Sequence, residues 1–209
     1  MPGVRAKVII VDDEPSIRTS MSMILNEIGY EAQSFEDGFA ALAALRQELP
    51  DIVVSDINMP GMSGLELLSV VRHRFPGIHT IAMSGVLFED EEPLRTAADA
   101  FYQKGSGVKS LLKLLDSVPE PERLTPKQPS EPPPIWIQRN EHSASGEAAI
   151  TIACPECLRT FLQPVNDSIC KILETCCIHC SAFIRYGIVE PFGMGALGAQ
   201  RNASTQGQA

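Results

Sequence analysis

Two hydrophobic patterns alternate along residues 7–118. Short, mostly apolar runs are each followed by a longer segment in which apolar residues recur three or four positions apart. The first pattern predicts buried strands, and the second predicts amphipathic helices. The predicted strands cover residues 7–11, 31–35, 52–55, 80–83 and 100–103, and the predicted helices cover residues 15–28, 37–49, 63–74, 92–98 and 108–118.

This alternation predicts an α/β fold, with a five-stranded, doubly wound parallel sheet and helices on both of its faces. Sites in such sheets form at the carboxyl ends of the strands. Asp12 and Asp13 follow the first predicted strand, Asp56 follows the third, Ser84 the fourth and Lys104 the fifth. Each residue alone could be a helix cap or a surface charge. Packing does not explain polar groups at four strand ends on one edge, so we expect a functional site there.

The chemistry of these residues suits a magnesium-dependent phosphoryl acceptor. Carboxylates gathered at one edge repel one another unless a cation joins them. Mg²⁺ takes oxygen ligands and keeps room for phosphate oxygens, while Lys104 and Ser84 can hold a phosphate oxygen. Asp56 is the predicted acceptor, because carboxylates form phosphoryl intermediates. The turn residues after it would let the backbone carbonyl of Asn58 reach the metal.

Four motifs at these positions resemble the receiver domain of bacterial two-component response regulators. They are V-D-D-E-P at 11–15, S-D-I-N-M-P-G-M-S-G at 55–64, M-S-G at 83–85 and F-Y-Q-K-G at 101–105. The resemblance covers about residues 5–118. It implies a CheY-like (flavodoxin-like) domain that accepts phosphate from the phosphohistidine of a histidine kinase.

The resemblance also implies individual roles. These are metal ligation by Asp13, Asp56 and the Asn58 carbonyl, support of the ion from outside its direct ligands by Asp12, phosphorylation of Asp56, phosphate contact by Lys104, and switching by Ser84 and Phe101. A phosphoryl group adds about −1.5 to −2 charges, which would draw Ser84 inward and leave a space for the Phe101 ring. Gly105 departs from the family, which usually has proline after the lysine. The interval between Ser84 and Lys104 is 20 residues, a couple fewer than is usual in the family. Both differences fall near the fourth helix and fifth strand, which form the family's usual signalling face.

Composition divides the chain into four parts. Residues 1–118 are the predicted receiver, 119–147 a proline-rich linker, 148–190 a zinc-ribbon-like module and 191–209 a disordered tail. The tripeptide Ile135-Trp136-Ile137 interrupts the linker. We expect it to pack on a neighbouring domain, and the alternative is a docking motif for another protein.

All six cysteines fall between residues 154 and 180. C-P-E-C at 154–157 and C-I-H-C at 177–180 have the spacing of a four-cysteine zinc site, formed by Cys154, Cys157, Cys177 and Cys180. Strand-like stretches at 159–165 and 169–175, with a turn at 166–167, make the module resemble a zinc ribbon. Two alternatives stay open: Cys176, or more weakly His179, could replace Cys177 as a ligand, and C-P-E-C could be a redox motif.

The net charge of the chain and the length of its N-terminal apolar run argue against two further classes of function. A net charge of −9 over 209 residues argues against general nucleic-acid binding, and the charges of the cysteine module balance. The apolar run near the N-terminus is too short for a signal peptide or a membrane span, so we expect a cytoplasmic protein without membrane contact.

We therefore expect a non-enzymatic response regulator that is phosphorylated by a sensor histidine kinase or a phosphotransfer protein and signals through an unknown downstream protein. One alternative is a DNA-binding transcriptional regulator that acts through the ribbon. A less favoured alternative is an aspartate-nucleophile phosphatase of the haloacid-dehalogenase type. That enzyme would need a D-x-D pair on its first strand, whereas Asp12 and Asp13 are adjacent and the acceptor lies on the third strand.

Overall fold

A five-stranded parallel sheet lies at the centre of the computed structural model, which describes residues 5–85, 92–118, 133–138, 149–165 and 172–189. Its strands are β1 (Lys7–Val11), β2 (Glu31–Phe35), β3 (Ile52–Asp56), β4 (His79–Ser84) and β5 (Ala100–Gln103). The helices are α1 (Pro15–Glu27), α2 (Gly38–Leu45), α3 (Gly64–Arg74), α4 (Glu92–Ala97) and α5 (Val108–Asp116). The strand order β2-β1-β3-β4-β5 confirms the predicted doubly wound sheet.

Side-chain caps fix where two of the helices begin. The Asp37 side chain accepts a hydrogen bond of 2.8 Å from the Ala40 amide at the start of α2, and Ser63 accepts one of 3.2 Å from Glu66 at the start of α3. Helix α2 ends at Leu45, before the predicted residue 49. The amides of Gln47 and Glu48 both bond back to the Ala44 carbonyl, which closes the helix early.

The two faces of the sheet have separate hydrophobic cores. Helices α1 and α5 cover one face, where Leu25, Leu111 and Leu115 pack on strand residues such as Ile10 and Ile81. Helices α2, α3 and α4 cover the other face. The second core does not end at these helices, since it continues into the C-terminal strands.

Five further strands form two small sheets. They are β6 (Ile135–Gln138), β7 (Ala149–Ala153), β8 (Thr160–Pro164), β9 (Ile172–Cys176) and β10 (Phe183–Val189). Strands β7 and β8 pair as an antiparallel hairpin, whereas β10 lies between antiparallel β9 and parallel β6. We call β7 to β10 with their connecting turns the ribbon. The predicted turn at 166–167 and tail at 191–209 lie outside the described residues.

Strand β6 lies inside the segment that composition assigned to the linker. A proline-rich composition predicts an extended spacer, but Ile135 and Ile137 are fully buried and pair with β10. This difference arises because three apolar residues can bury themselves between a helix and a strand that are distant in sequence. The expected packing of Ile135-Trp136-Ile137 on a neighbouring domain agrees with this position.

Helix α3 packs against both β6 and the ribbon. Every residue of Gly64–Val71 is buried, whereas the sequence pattern indicated a single apolar face. The Trp136 amide of β6 donates to Ser69 Oγ at 3.3 Å, and the Ala153 amide of β7 donates to Glu66 Oε1 at 3.0 Å. A helix buried on all sides needs a partner on the side away from the sheet, and β6 and the ribbon supply it. Within the described ranges, no helix is long and apolar enough to cross a membrane.

Candidate functional site

The acidic site lies at the carboxyl end of the sheet, where the strand order reverses between β1 and β3. Asp12 and Asp13 directly follow β1, and Asp56 is the last residue of β3. One carboxylate oxygen from each of the three lies within 4.8 Å of the others. Asp12 and Asp56 are buried, whereas Asp13 is exposed. The parallel fold thus places together the three acids that the sequence predicted at this edge.

Lys104, which follows β5, completes the group. Its Nζ lies 2.8 Å from Asp12 Oδ2 and 2.8 Å from Asp56 Oδ2. Burial by itself would lower the pKa of Lys104, but its ion pairs with Asp12 and Asp56 raise that pKa above the usual value, so the ammonium stays charged. The Lys104 amide also donates to the Ser84 carbonyl at 2.7 Å, which ties the ends of β4 and β5 together.

The Asp56 carboxyl is held in a low-dielectric setting. Burial raises its pKa, the nearby Asp12 charge adds to the rise, and contact with Lys104 and a backbone hydrogen bond from Asn58 oppose it. The net direction is a raised pKa. A second cation at the site would favour the ionised, nucleophilic form of this carboxyl.

The described residues fit a divalent cation. Three carboxyl groups lie together, and Lys104 is the ammonium that pairs with two of them. A divalent cation would neutralise the remaining negative charge. The exposed Asp13 leaves one side open to water, as Mg²⁺ requires because it keeps several of its waters.

The other predicted residues lie on β4, on β5 and in the loop after β3. Ser84 is the buried last residue of β4, Asn58 is exposed in the loop after β3, and Phe101 on β5 is half-buried and packs on the core that contains α3. Gly105 has a φ of +85°, which the ring of proline cannot adopt. The usual family residue would therefore not fit this backbone at position 105.

The second site is a cluster of four sulfurs in the ribbon. The Sγ atoms of Cys154, Cys157, Cys177 and Cys180 lie within 4.8 Å of one another. The closest contacts across the two pairs are 3.7 Å from Cys154 to Cys180 and 3.8 Å from Cys157 to Cys177. Cys176 is exposed at the end of β9 and is not in this group.

The two cysteine turns have the same backbone design. In the first, the Cys154 amide bonds to the Arg159 carbonyl and the Leu158 amide to the Cys154 carbonyl. In the second, Cys177 and Ser181 make the matching bonds. Leu158 and Ser181 have φ values of 54° and 61°, in the left-handed region. Side chains rarely adopt that region unless the surroundings enforce it, so the surrounding structure holds both turns in the same uncommon conformation.

The cysteine side chains differ in acidity. Burial raises the pKa of the Cys154 thiol. Burial also acts to raise the pKa of Cys177, but backbone hydrogen bonds from His179 and Cys180 outweigh it and lower that pKa to about 7. The His179 amide donates to Cys177 Sγ at 3.4 Å. Donors of this kind stabilise a thiolate, which is the form that binds zinc.

Sequence reasoning missed the residues that join the two sites. Glu66, Trp136 and Gln138 are buried between the receiver and the ribbon. One signal was available in α3: Leu67 and Val70 make the helix apolar on more than the face formed by Leu65, Leu68 and Val71. The identity of the covering element could not be read from that signal.

Comparison with known proteins identifies the larger part of the chain. A sequence profile for the response regulator receiver domain matches residues 8–116, slightly more than half of the chain. CheY4 of Vibrio cholerae has a structure with 31% sequence identity and a TM-score of 0.52, over 55% of this chain and 98% of CheY4. TrrA of Thermotoga maritima, solved in complex with Mg²⁺-BeF, has 30% identity and a TM-score of 0.51 over 54% of this chain and 98% of TrrA.

Longer regulators match the same region. The DNA-binding transcriptional regulator NtrC of Salmonella typhimurium is 39% identical over 102 residues, 49% of this chain and 20% of NtrC. The response regulator FleR of Pseudomonas aeruginosa is 34% identical over 112 residues, 53% of this chain and 24% of FleR. The chain thus spans only about a fifth to a quarter of the length of these relatives.

The chain belongs to the response regulator receiver family. The predicted fold and the role of its receiver domain in two-component phosphorelay signalling are confirmed. Receiver domains bind Mg²⁺ and interact with histidine kinases or phosphotransfer partners, and response regulators are typically non-enzymatic signalling proteins. In the ribbon, four cysteines lie close enough together to hold a metal.

Proposed function

We propose that this chain is a response regulator that receives a phosphoryl group on Asp56 in a Mg²⁺-dependent reaction. The donor is the phosphohistidine of a sensor histidine kinase or of a phosphotransfer protein. The observation that carries the proposal is the position of Lys104 Nζ, 2.8 Å from both Asp12 and Asp56, beside a third carboxylate.

Each residue of the site has a part in this transfer. A carboxylate oxygen of Asp56 bonds to phosphorus as the bond from phosphorus to the donor's imidazole nitrogen breaks, and the imidazole leaves with the electron pair. Asp13, Asp56 and the Asn58 carbonyl would hold Mg²⁺, and Asp12 would support it. Bound Mg²⁺ would supply charge neutralisation to the phosphate oxygens, the main aid to such transfers. Lys104 would hold a further phosphate oxygen.

The response to phosphorylation would run through Ser84 and Phe101. The new phosphate oxygens would accept a hydrogen bond from the Ser84 hydroxyl and draw the end of β4 inward. Phe101, half-buried on the neighbouring strand β5, could then turn into the space that opens. The tie between the Lys104 amide and the Ser84 carbonyl would carry the movement from β4 to β5.

The ribbon would bind one structural zinc ion through Cys154, Cys157, Cys177 and Cys180. The repeated turn with left-handed Leu158 and Ser181 supports this set. A ribbon of this size has too small a core of its own, so its stability would depend on such a ligand together with its packing on the receiver. The ribbon would serve as a surface that binds another protein.

A DNA-binding role is the second candidate, because NtrC is named as a DNA-binding regulator. The match to NtrC covers only 20% of that protein. The overall charge of −9 also disfavours contact with phosphates. A salt-dependent gel shift with the zinc-loaded chain would support this candidate over protein contact.

Mass spectrometry after incubation with acetyl phosphate and Mg²⁺ tests the receiver proposal. We expect the wild type to gain the mass of one phosphoryl group and Asp56→Asn to gain none. Asp37→Asn is a matched control, since asparagine can still cap α2, and it should be modified like the wild type. Equal modification of Asp56→Asn would contradict the proposal.

Metal analysis of purified variants tests the zinc proposal. We expect one zinc ion per chain in the wild type and in Cys176→Ser, and loss of zinc in Cys177→Ser. The opposite result would make Cys176 the ligand. Zinc retained in both variants would count against the four-cysteine set.

A further inference from the structure

Strand β6 contacts two segments of the receiver, the loop after β3 and helix α4. Gln138, at the end of β6, is buried, and its Nε2 donates to Asn58 Oδ1 at 3.5 Å. Asn58 lies two residues after Asp56, and its carbonyl is the proposed backbone ligand of the cation. A side chain of β6 therefore contacts the loop from which the metal would take one of its ligands.

The second contact of β6 reaches α4. Trp136 Nε1 donates to Thr96 Oγ1 at 2.5 Å, and the indole is only 8% exposed. Helix α4 precedes β5, which carries Phe101 and leads to Lys104. The same tryptophan donates its backbone amide to Ser69 of α3, so one residue ties two helices of the receiver to β6.

On its other side, β6 is part of the ribbon sheet. Gly187 of β10 pairs with Trp136, and Val189 pairs with Gln138. Strand β10 also pairs with β9. Phe183 of β10 pairs with Cys176 of β9, which directly precedes the proposed zinc ligand Cys177. A continuous series of paired strands thus connects Asn58 to the cysteine cluster.

From these contacts we propose that β6 couples the acidic site to the ribbon, with Gln138 as a positioning residue for the cation-binding loop. The inference rests on the proposed function of the acidic site. In this proposal the contact of Gln138 restrains Asn58 before a cation binds, so that the loop loses less conformational freedom on binding. Because coupling between two sites is reciprocal, a cation at the acidic site strengthens the docking of β6 and the ribbon.

The expected change in Mg²⁺ affinity can be estimated from the loss of one neutral hydrogen bond. Such a bond is worth about a two- to tenfold change in an equilibrium constant. We expect Gln138→Met, which keeps the size of the side chain and removes the donor, to weaken Mg²⁺ binding by about this factor. Gln47→Met, in the exposed turn that follows α2, is the control and should bind Mg²⁺ like the wild type.

Trp136 gives a direct optical measurement, because it is the only tryptophan of the chain. We expect its fluorescence to change when the wild type is titrated with Mg²⁺ and then with beryllofluoride. Asp56→Asn should show a much smaller change. Thr96→Val, which removes the indole's partner without touching Asn58, should alter the starting emission while retaining Mg²⁺ affinity close to that of the wild type.

Calorimetric Mg²⁺ titrations of the whole chain decide the proposal. Cys157→Ser, which should loosen the ribbon, is expected to weaken Mg²⁺ binding at least as much as Gln138→Met. The zinc content of Gln138→Met shows whether its ribbon is still folded. If the ribbon is not folded, the Mg²⁺ affinity of Cys157→Ser compared with that of the wild type still tests the coupling. Wild-type Mg²⁺ affinity in both variants would overturn the coupling, even if Asp56 accepts phosphate. A wild type that binds Mg²⁺ but is never phosphorylated would instead overturn the proposed function and leave the coupling measurable.

Discussion

The two faces of the central sheet are covered in different ways. Helices α1 and α5 each bury one stripe and leave the other exposed: on α1, Leu25 is fully buried while Met23 is 68% exposed. On the opposite face, α3 is buried around its whole circumference over eight residues, because β6 and the ribbon lie on its outer side. One face is complete within the receiver, and the other is completed by a segment more than sixty residues later in the chain.

This contrast means that the ribbon is part of the receiver's core rather than a module carried on a free tether. Leu67 and Val70 of α3 are fully buried. Without the ribbon, apolar surface of this kind would be exposed to water. Each Å² exposed would lower the free energy of unfolding by about 25 cal/mol. Unfolding of the ribbon should therefore destabilise α3 and have little effect on the stability of α1 and α5.

Loss of the cysteine cluster should have the largest effect. We expect Cys157→Ser to remove zinc and with it a stabilisation on the order of 10 kcal/mol from the ribbon. Hydrogen exchange should then accelerate in α3 and β6 to β10 but not in α1 or α5. Cys176→Ser is the control, and equal protection of α3 in both variants would show that the receiver does not depend on the ribbon.

A pH dependence should follow from Glu66, which is fully buried between α3 and the ribbon. Burial raises its pKa from 4.5 to about 8, although the Ala153 amide acts to lower it. Between these two values the folded state keeps a proton that the unfolded state has lost. The free energy of unfolding should therefore fall as pH rises from about 4.5 to about 8, by a total on the order of 3–5 kcal/mol.

Denaturant unfolding across this pH range measures the effect. Glu66→Gln keeps an acceptor for the Ala153 amide and cannot titrate, so its stability should change less with pH than that of the wild type. A Glu66→Gln profile parallel to that of the wild type would mean that Glu66 is not the titrating group.

Gly187 tests the close packing of β6 on the ribbon. A Cβ at this position would lie 2.4 Å from Cζ3 of Trp136, so the indole would have to move. We expect Gly187→Ala to lower the free energy of unfolding by about 1–3 kcal/mol and to shift the emission of Trp136. Gly77→Ala, where a Cβ would have no neighbour within 4 Å, should do neither.

The smallest effect is expected at the rim of the same interface. Arg74 of α3 lies 3.6 Å from Glu156 of the first cysteine turn, and both side chains are about half exposed. Exposed ion pairs contribute about 0–1 kcal/mol, so Arg74→Ala should change stability by less than Gly187→Ala. A loss as large as that from Gly187→Ala would show that this pair is a main support of the docked ribbon.

Sequence alone was sufficient for the order of strands and helices in the receiver and for the acids at its carboxyl edge. Its alternating strands and helices, the acids at the ends of β1 and β3 and the lysine after β5 are local patterns, and a parallel sheet brings such strand ends to one edge. The spacing of the two C-x2-C pairs likewise indicated one four-sulfur cluster. In both cases the geometry follows from short segments whose structure is set by their own residues.

Only the tertiary structure decided what covers α3. The pattern of α3 indicated one apolar face, and Ile135-Trp136-Ile137 indicated a segment that packs on a neighbouring domain, but neither stretch identifies the other as its partner. Their pairing depends on shape and on single polar contacts such as Trp136 to Thr96 and Gln138 to Asn58. Hydrophobic burial is non-directional, so a pattern reports that a surface will be buried without reporting against which part of the chain.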